Sequence, residues 1–201
     1  MQSNNPLNSI PPVTRNILIA IVVMFIAQQI LGQSGGNFIY KYFALHSISS
    51  GNFYPWQLIT AVLLHGNLMH LFFNGFAIWM FGSQIESYWG ERRYAIFVIT
   101  CVIGSSLFYA LLGNGYGVGI SGAVYGILVA YGMMWPNHTI QLIIPPVPIK
   151  AKYFVMILAG IALMNSLSVT NDNVGHIAHL GGAVIGFLLI QYWRKKPPFK
   201  W

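Results

Sequence analysis

The chain has 201 residues, of which 56% are hydrophobic and only 6% charged, with a mean hydropathy of +0.62. A soluble domain carries about 25% charge, so this composition excludes a soluble globular protein and predicts one membrane domain over residues 1–201. The ten Lys and Arg against three Asp and Glu would suit nucleic acid, but their placement follows membrane topology, and the single Cys101 excludes a disulfide framework or redox motif.

In chain order, six apolar runs reach the length of a membrane span: residues 16–31, 66–85, 93–112, 117–135, 152–169 and 174–193. The expected fold is therefore all-α, a polytopic six-helix transmembrane bundle. The first run is read as an anchor, because no small-residue cleavage site follows Gln28 and Gln29. Residues 32–65 form the one long connection, and "NFIYKYFAL" and "FYPWQLITAVLLH" make it apolar. With Pro55 interrupting it, this segment is expected to lie in the membrane interface.

Charge orients the spans. With the N-terminus inside, Arg15, Arg92, Arg93, Lys150, Lys152, Arg194, Lys195, Lys196 and Lys200 all fall on the cytoplasmic side, and only Lys41 falls outside. The expectation is a multi-pass protein of a bacterial inner (plasma) membrane with both termini cytoplasmic.

That orientation sends the second, fourth and sixth runs from outside to inside. Near their outer ends stand His65, Asn67, His70 and Asn74, then Ser121, then His176 and His179. At 1.5 Å per residue, His70, Ser121 and His179 each come roughly 6–8 Å in from the outer end. Polar groups inside a membrane are expensive and face a bundle interior or a wet cavity, so one shared depth predicts one shared site. "GAVYG" (Gly122, Gly126) and "GAVIG" (Gly182, Gly186) are small-xxx-small patterns that let helices approach closely. His179 falls within about 60° of the second stripe, whereas Ser121 is about 100° around from Gly122. The latter suits a helix that is only beginning there, with free N–H groups beside the serine.

Each feature has a plainer reading. A membrane serine can bond its own backbone, glycine stripes can serve packing alone, and His176 with His179 at i, i+3 could ligate a metal, although no HExxH and no nearby carboxylate support it. "GVGISG" matches a dinucleotide fingerprint only formally, since no strand precedes it. His65, about 140° around from His70, is expected to cap or brace the loop.

Taken together, "GISG" (residues 119–122), "AHLGGAVIG" (178–186) and "HGNLMHLFFN" (65–74) resemble the rhomboid intramembrane serine proteases. The resemblance runs over about residues 12–194 and includes "WQLITAVLLH" and Glu86 with "WGERR". It implies a Ser/His dyad of Ser121 and His179, choosing His179 over His176 because Gly182 and Gly186 follow it at the family's offsets. It also implies that His70 and Asn74 serve the oxyanion, that Tyr125 packs on the catalytic imidazole, and that Gly119, Gly122, Gly182, Gly186 and His65 support the site. One departure is visible: many members carry Trp-Arg where this chain has Trp56-Gln57, which leaves the anchoring of the first loop open.

The chemistry agrees with that resemblance. A hydroxyl is a poor nucleophile until a base takes its proton, and His179 is the natural base for Ser121. Glu86 and Glu91 lie at the cytoplasmic end and Asp172 in an outer loop, so a dyad rather than a triad is expected. His70 and Asn74, at i, i+4 on one helix face, are suited to donate to a developing oxyanion, with Asn67 on the same stripe lining a wet approach. The glycine-rich segment 113–119 is placed to shape a groove beside Ser121. The expected partners are transmembrane protein substrates and the lipid bilayer, with no nucleic acid, metal or cofactor. A substrate should unwind near its outer end and present small residues there. Two other classes are weighed: an inactive rhomboid-like scaffold, which would have lost the serine or the histidine, and an ion transporter, which would place ionisable residues deeper.

Overall fold

The computed structural model describes residues 9–142, 145–167 and 175–194. Asp172, Lys195, Lys196, Lys200 and the ends of the fifth and sixth predicted spans at 168–169 and 174 lie outside the described residues.

The chain folds into a bundle of helices with two short β ribbons. Helix α1 (Pro12–Phe43) starts with proline in its first turn, where the missing N–H costs nothing. It runs well past the predicted end at residue 31, through the glycines of "GQSGGN", so the first part of the expected interface segment is helical. The cause lies at its far end. The last four carbonyls of a helix lack partners within it, and here each receives a side-chain donor from the following loop. His46 Nε2 reaches Tyr40 O (3.1 Å), Gln57 Nε2 reaches Lys41 O (3.3 Å), Trp56 Nε1 reaches Tyr42 O (2.8 Å) and Thr60 Oγ1 reaches Phe43 O (2.9 Å). That loop contains β1 (Leu45–His46), a 3₁₀ turn (Ile48–Ser50), α2 (Gln57–Thr60) and a second 3₁₀ turn (Ala61–Leu63).

The second predicted span is one continuous helix made of α3 (Leu68–Ala77), a π-helical turn (Ile78–Gly82) and α4 (Ser83–Trp89). Glu86, in α4, is 2% exposed. Its carboxylate accepts from Val13 N (2.8 Å) and Thr14 N (2.7 Å), so one helix supplies the anionic cap that the first turn of α1 lacks in its own sequence. Glu86→Gln turns one acceptor into a donor facing a buried N–H. Hydrogen bonds to charged groups contribute about 1.5–3 kcal/mol, so this variant should lose about that much stability in reversible unfolding in mixed micelles.

Helix α5 (Glu91–Leu112) leads into β2 (Tyr116–Gly117), then α6 (Ser121–Met134), the ribbon β3 (Thr139–Gln141) with β4 (Pro148–Lys150), α7 (Ala151–Leu167) and α8 (His176–Arg194). Pro12–Leu31, Glu91–Leu112 and His176–Arg194 are long and apolar enough to cross a membrane. A fourth span appears if Gln57–Leu63 and Leu68–Trp89, bent by 100° from one another, are taken as one. The fourth and fifth predicted spans are represented by shorter apolar helices, Ser121–Met134 and Ala151–Ile161. Helix α6 starts late because residues 116 and 117 form a strand and Gly119 turns the chain at φ +110°. At about 21 Å it is shorter than a hydrocarbon core of about 30 Å.

Ten of the fourteen α6 residues are buried, whereas α1, α5 and α7 expose large apolar side chains such as Ile30, Leu111 and Met156. This inversion, greasy outside around a packed central helix, is that of a multi-pass membrane protein. The glycine stripes explain how α6 reaches the centre. A Cβ on Gly182 would overlap the Gly122 carbonyl, and one on Gly186 would lie 2.8 Å from Gly126 Cα. The two stripes therefore meet backbone to backbone.

Candidate active site

The first residue of α6 is Ser121, and the fourth of α8 is His179. Close approach of the two helices at Gly122 and Gly182 brings the side chains together: His179 Nε2 lies 2.7 Å from Ser121 Oγ. Tyr125, one helical turn after Ser121, stacks on the imidazole with centroids 4.6 Å apart and planes 7° apart. His176 meets His179 edge-on at 5.9 Å, beside Ser121's partner rather than in its place. Among the described residues no three His, Cys, Asp or Glu side chains converge on a point.

Ser121, Tyr125 and His179 line a cavity of about 470 Å³ together with His70, Asn74, Asn67 and Gly119. Among the described residues no carboxylate lines it. Asn74 is 5% exposed, and its Nδ2 has no hydrogen-bond partner among the described residues. An unpaired buried donor costs about 1–3 kcal/mol, so Asn74 is a donor held ready. The His70 ring packs on Gly119, where a Cβ would come within 2.6 Å of its Cε1. Gly119 is thus glycine for two reasons, its positive φ and the histidine above it.

Asn67 has a second role besides the expected one. Asn67 does line the cavity, but its Oδ1 accepts from His70 N (2.8 Å) and so caps α3. His70 and Ser121 also sit nearer the helix starts than the predicted spans imply, because α3 and α6 each begin later than expected. His65 braces as expected, though through its backbone: its N–H donates to Gln28 Oε1 (3.1 Å) and its carbonyl accepts from Gln28 Nε2 (2.8 Å). Its ring stands edge-on to His70 at 5.1 Å.

Gln28 was not legible as a site residue, and neither was the frame around segment 113–119. That segment lines the cavity through Gly117, Val118 and Gly119, and the first loop holds it. Leu45 and His46 pair antiparallel with Gly117 and Tyr116, Ser47 N donates to Gly115 O (3.1 Å), and Gly119 N donates to Ala61 O (2.9 Å).

Comparison with known proteins shows the family. A family model described as "Rhomboid domain" matches residues 52–196. The rhomboid protease GlpG of Yersinia pseudotuberculosis serotype I (strain IP32953) is 26% identical over 188 residues, covering 90% of this chain and 62% of that protein. The rhomboid-type protein YdcA of Bacillus subtilis (strain 168) is 32% identical over 138 residues, covering 67% of this chain and 65% of that protein. The chain thus spans just under two thirds of the length of these relatives. With the matched region running from the first loop through α8, the chain belongs to the rhomboid family.

Proposed function

We propose that this protein is an intramembrane serine endopeptidase that cuts single-span membrane proteins near the outer end of their transmembrane helix. The observation that carries this reading is the 2.7 Å contact of Ser121 Oγ with His179 Nε2 inside a cavity that also holds an unpaired amide donor. In this reading the bundle crosses the membrane six times, with α6 and α7 as short members and both termini in the cytoplasm.

The reaction runs on this chain's own side chains. His179 carries its proton on Nδ1 and offers the Nε2 lone pair to the Ser121 hydroxyl. As Oγ attacks the scissile carbonyl carbon, the proton passes to Nε2 and the carbonyl oxygen becomes an oxyanion. The Ser121 N–H at the start of α6, Asn74 Nδ2 and the His70 ring donate to that oxygen, where charge develops. The C–N bond then breaks as the imidazolium protonates the leaving amine, leaving an ester on Ser121. Water, deprotonated by His179, attacks the ester, and collapse of the second tetrahedral intermediate returns Ser121 and releases the acid. Stacking on Tyr125 orients the ring in place of a third carboxylate.

A regular helix shields its amides, so the substrate must unwind where it meets the cavity. The test is a purified preparation in liposomes with two single-span reporters, one carrying helix-breaking residues near its outer end and one continuously helical. Cleavage of the first, near that end, is expected, and chelator should leave it unchanged. Binding of reporter without any cleavage would contradict the protease reading and favour a helix-binding scaffold. Loss in chelator with recovery on added zinc would favour a metal site.

A further inference from the structure

Gln57 is fully buried in the first loop, and every polar valence of its amide is used. Oε1 accepts from His46 N (3.2 Å) and Tyr54 N (3.0 Å), and Nε2 donates to Lys41 O (3.3 Å) and Asn52 O (3.2 Å). Two acceptor bonds and two donor bonds fix which way the amide points, and only Gln or Asn carries two N–H donors together with an oxygen that accepts twice. His46, Trp56 and Thr60 also cap the end of α1. Gln57 differs from them in what else its side chain holds: one end grips the α1 carbonyl, and the other grips the backbone of β1.

That second grip leads to the site. Strand β1 pairs with β2, and Ser47, the next residue, donates to Gly115 O. Ala61, four residues after Gln57, accepts from Gly119 N. Both edges of segment 115–119 are therefore held by elements that converge on Gln57. The segment ends at Gly119, with φ +110° and the His70 ring against it, two residues before Ser121.

We infer that Gln57 is a positioning residue, which fixes the Gly119 turn and hence the placement of Ser121 and His70 by tying the end of α1 to β1. The inference rests on Ser121 being the nucleophile for its catalytic consequence, but not for the placement itself. It also answers the departure at Trp56-Gln57. An arginine offers donors alone, so the residue that many family members carry would leave His46 N and Tyr54 N facing a cation. The loop of this chain is wired for an amide.

Three variants test it. Gln57→Glu keeps the acceptor side and loses the donors, Gln57→Arg does the reverse, and Thr60→Val removes one α1 cap bond without touching β1. Each is assayed below its unfolding temperature for the rate of fluorophosphonate labelling at Ser121, and for hydrogen exchange of the Gly119 and Ser47 amides. A misplacement of about 1 Å costs about 10²-fold, and a loosened turn should cost less. Labelling should slow about ten-fold in both Gln57 variants and stay at the wild-type rate in Thr60→Val. Exchange at Gly119 and Ser47 should rise by about ten-fold in the Gln57 variants alone. Unchanged labelling and exchange per folded molecule, an equal effect in Thr60→Val, or loss of the fold in both Gln57 variants would assign Gln57 to stability only and overturn the inference. Should the wild type fail to label at Ser121 while Gly119 exchange still responds to Gln57, the nucleophile reading fails and the placement stands.

Discussion

Ser121→Ala and His179→Ala are each expected to abolish cleavage, while both variants insert and keep the helical content of the wild type. The Ser121 hydroxyl sits at a helix start and lines a cavity, and His179 faces it on the other side, so neither side chain is needed for the Gly122–Gly182 contact that joins their helices. Loss of the serine or the histidine alone in a soluble serine hydrolase costs on the order of 10⁶ in turnover. A dyad without an orienting carboxylate starts from a lower rate, so a loss of at least about 10³ is expected here, at the floor of a gel or fluorescence assay. His176→Ala should keep substantial activity, because its ring meets His179 edge-on, whereas the 2.7 Å contact with Ser121 Oγ is made by His179. An essential His176 with a dispensable His179 would reverse the assignment of the base.

Asn74→Ala and His70→Ala are expected to slow turnover at saturating substrate with little change in KM. Asn74 brings a donor without a partner among the described residues, and such a donor gains most when the carbonyl oxygen becomes charged. Removing one oxyanion donor costs about 10²–10³ in turnover. With the Ser121 N–H and a second side chain sharing the charge, the lower end, about 10²-fold or less, is expected. An equal fall in kcat and kcat/KM marks an interaction made in the transition state. The double variant should lose less than the product of the single losses, because water admitted by the first change serves the same oxygen. A rise in KM at unchanged kcat in both single variants would make them substrate-helix contacts.

The sequence was most readable where side chains act on side chains at fixed helical offsets. Ser121, Tyr125, His179 and the paired glycines meet as their spacing and the family resemblance imply, because a helix carries its periodicity into space. It was least readable where side chains act on backbone. Gln57 stood out only as a departure from Trp-Arg, and four carbonyls at the end of α1 receive donors from positions 6 to 17 residues away, a relation without any sequence period. Glu86 shows the same limit, since a carboxylate read as an inner-end charge is buried as the cap of a distant helix. Helix limits also shifted: hydropathy marks where a segment is apolar, whereas α1 ends where its carbonyls find caps and α6 begins where Gly119 turns.

The central claim, that Ser121 is a nucleophile activated by His179, is tested most directly by treating the purified, membrane-reconstituted protein with a fluorophosphonate and locating the adduct by peptide mass spectrometry. A single adduct on Ser121 is predicted in the wild type, absent from Ser121→Ala and strongly reduced in His179→Ala. An adduct on another residue, or none in a preparation that still cleaves its reporter, would contradict it.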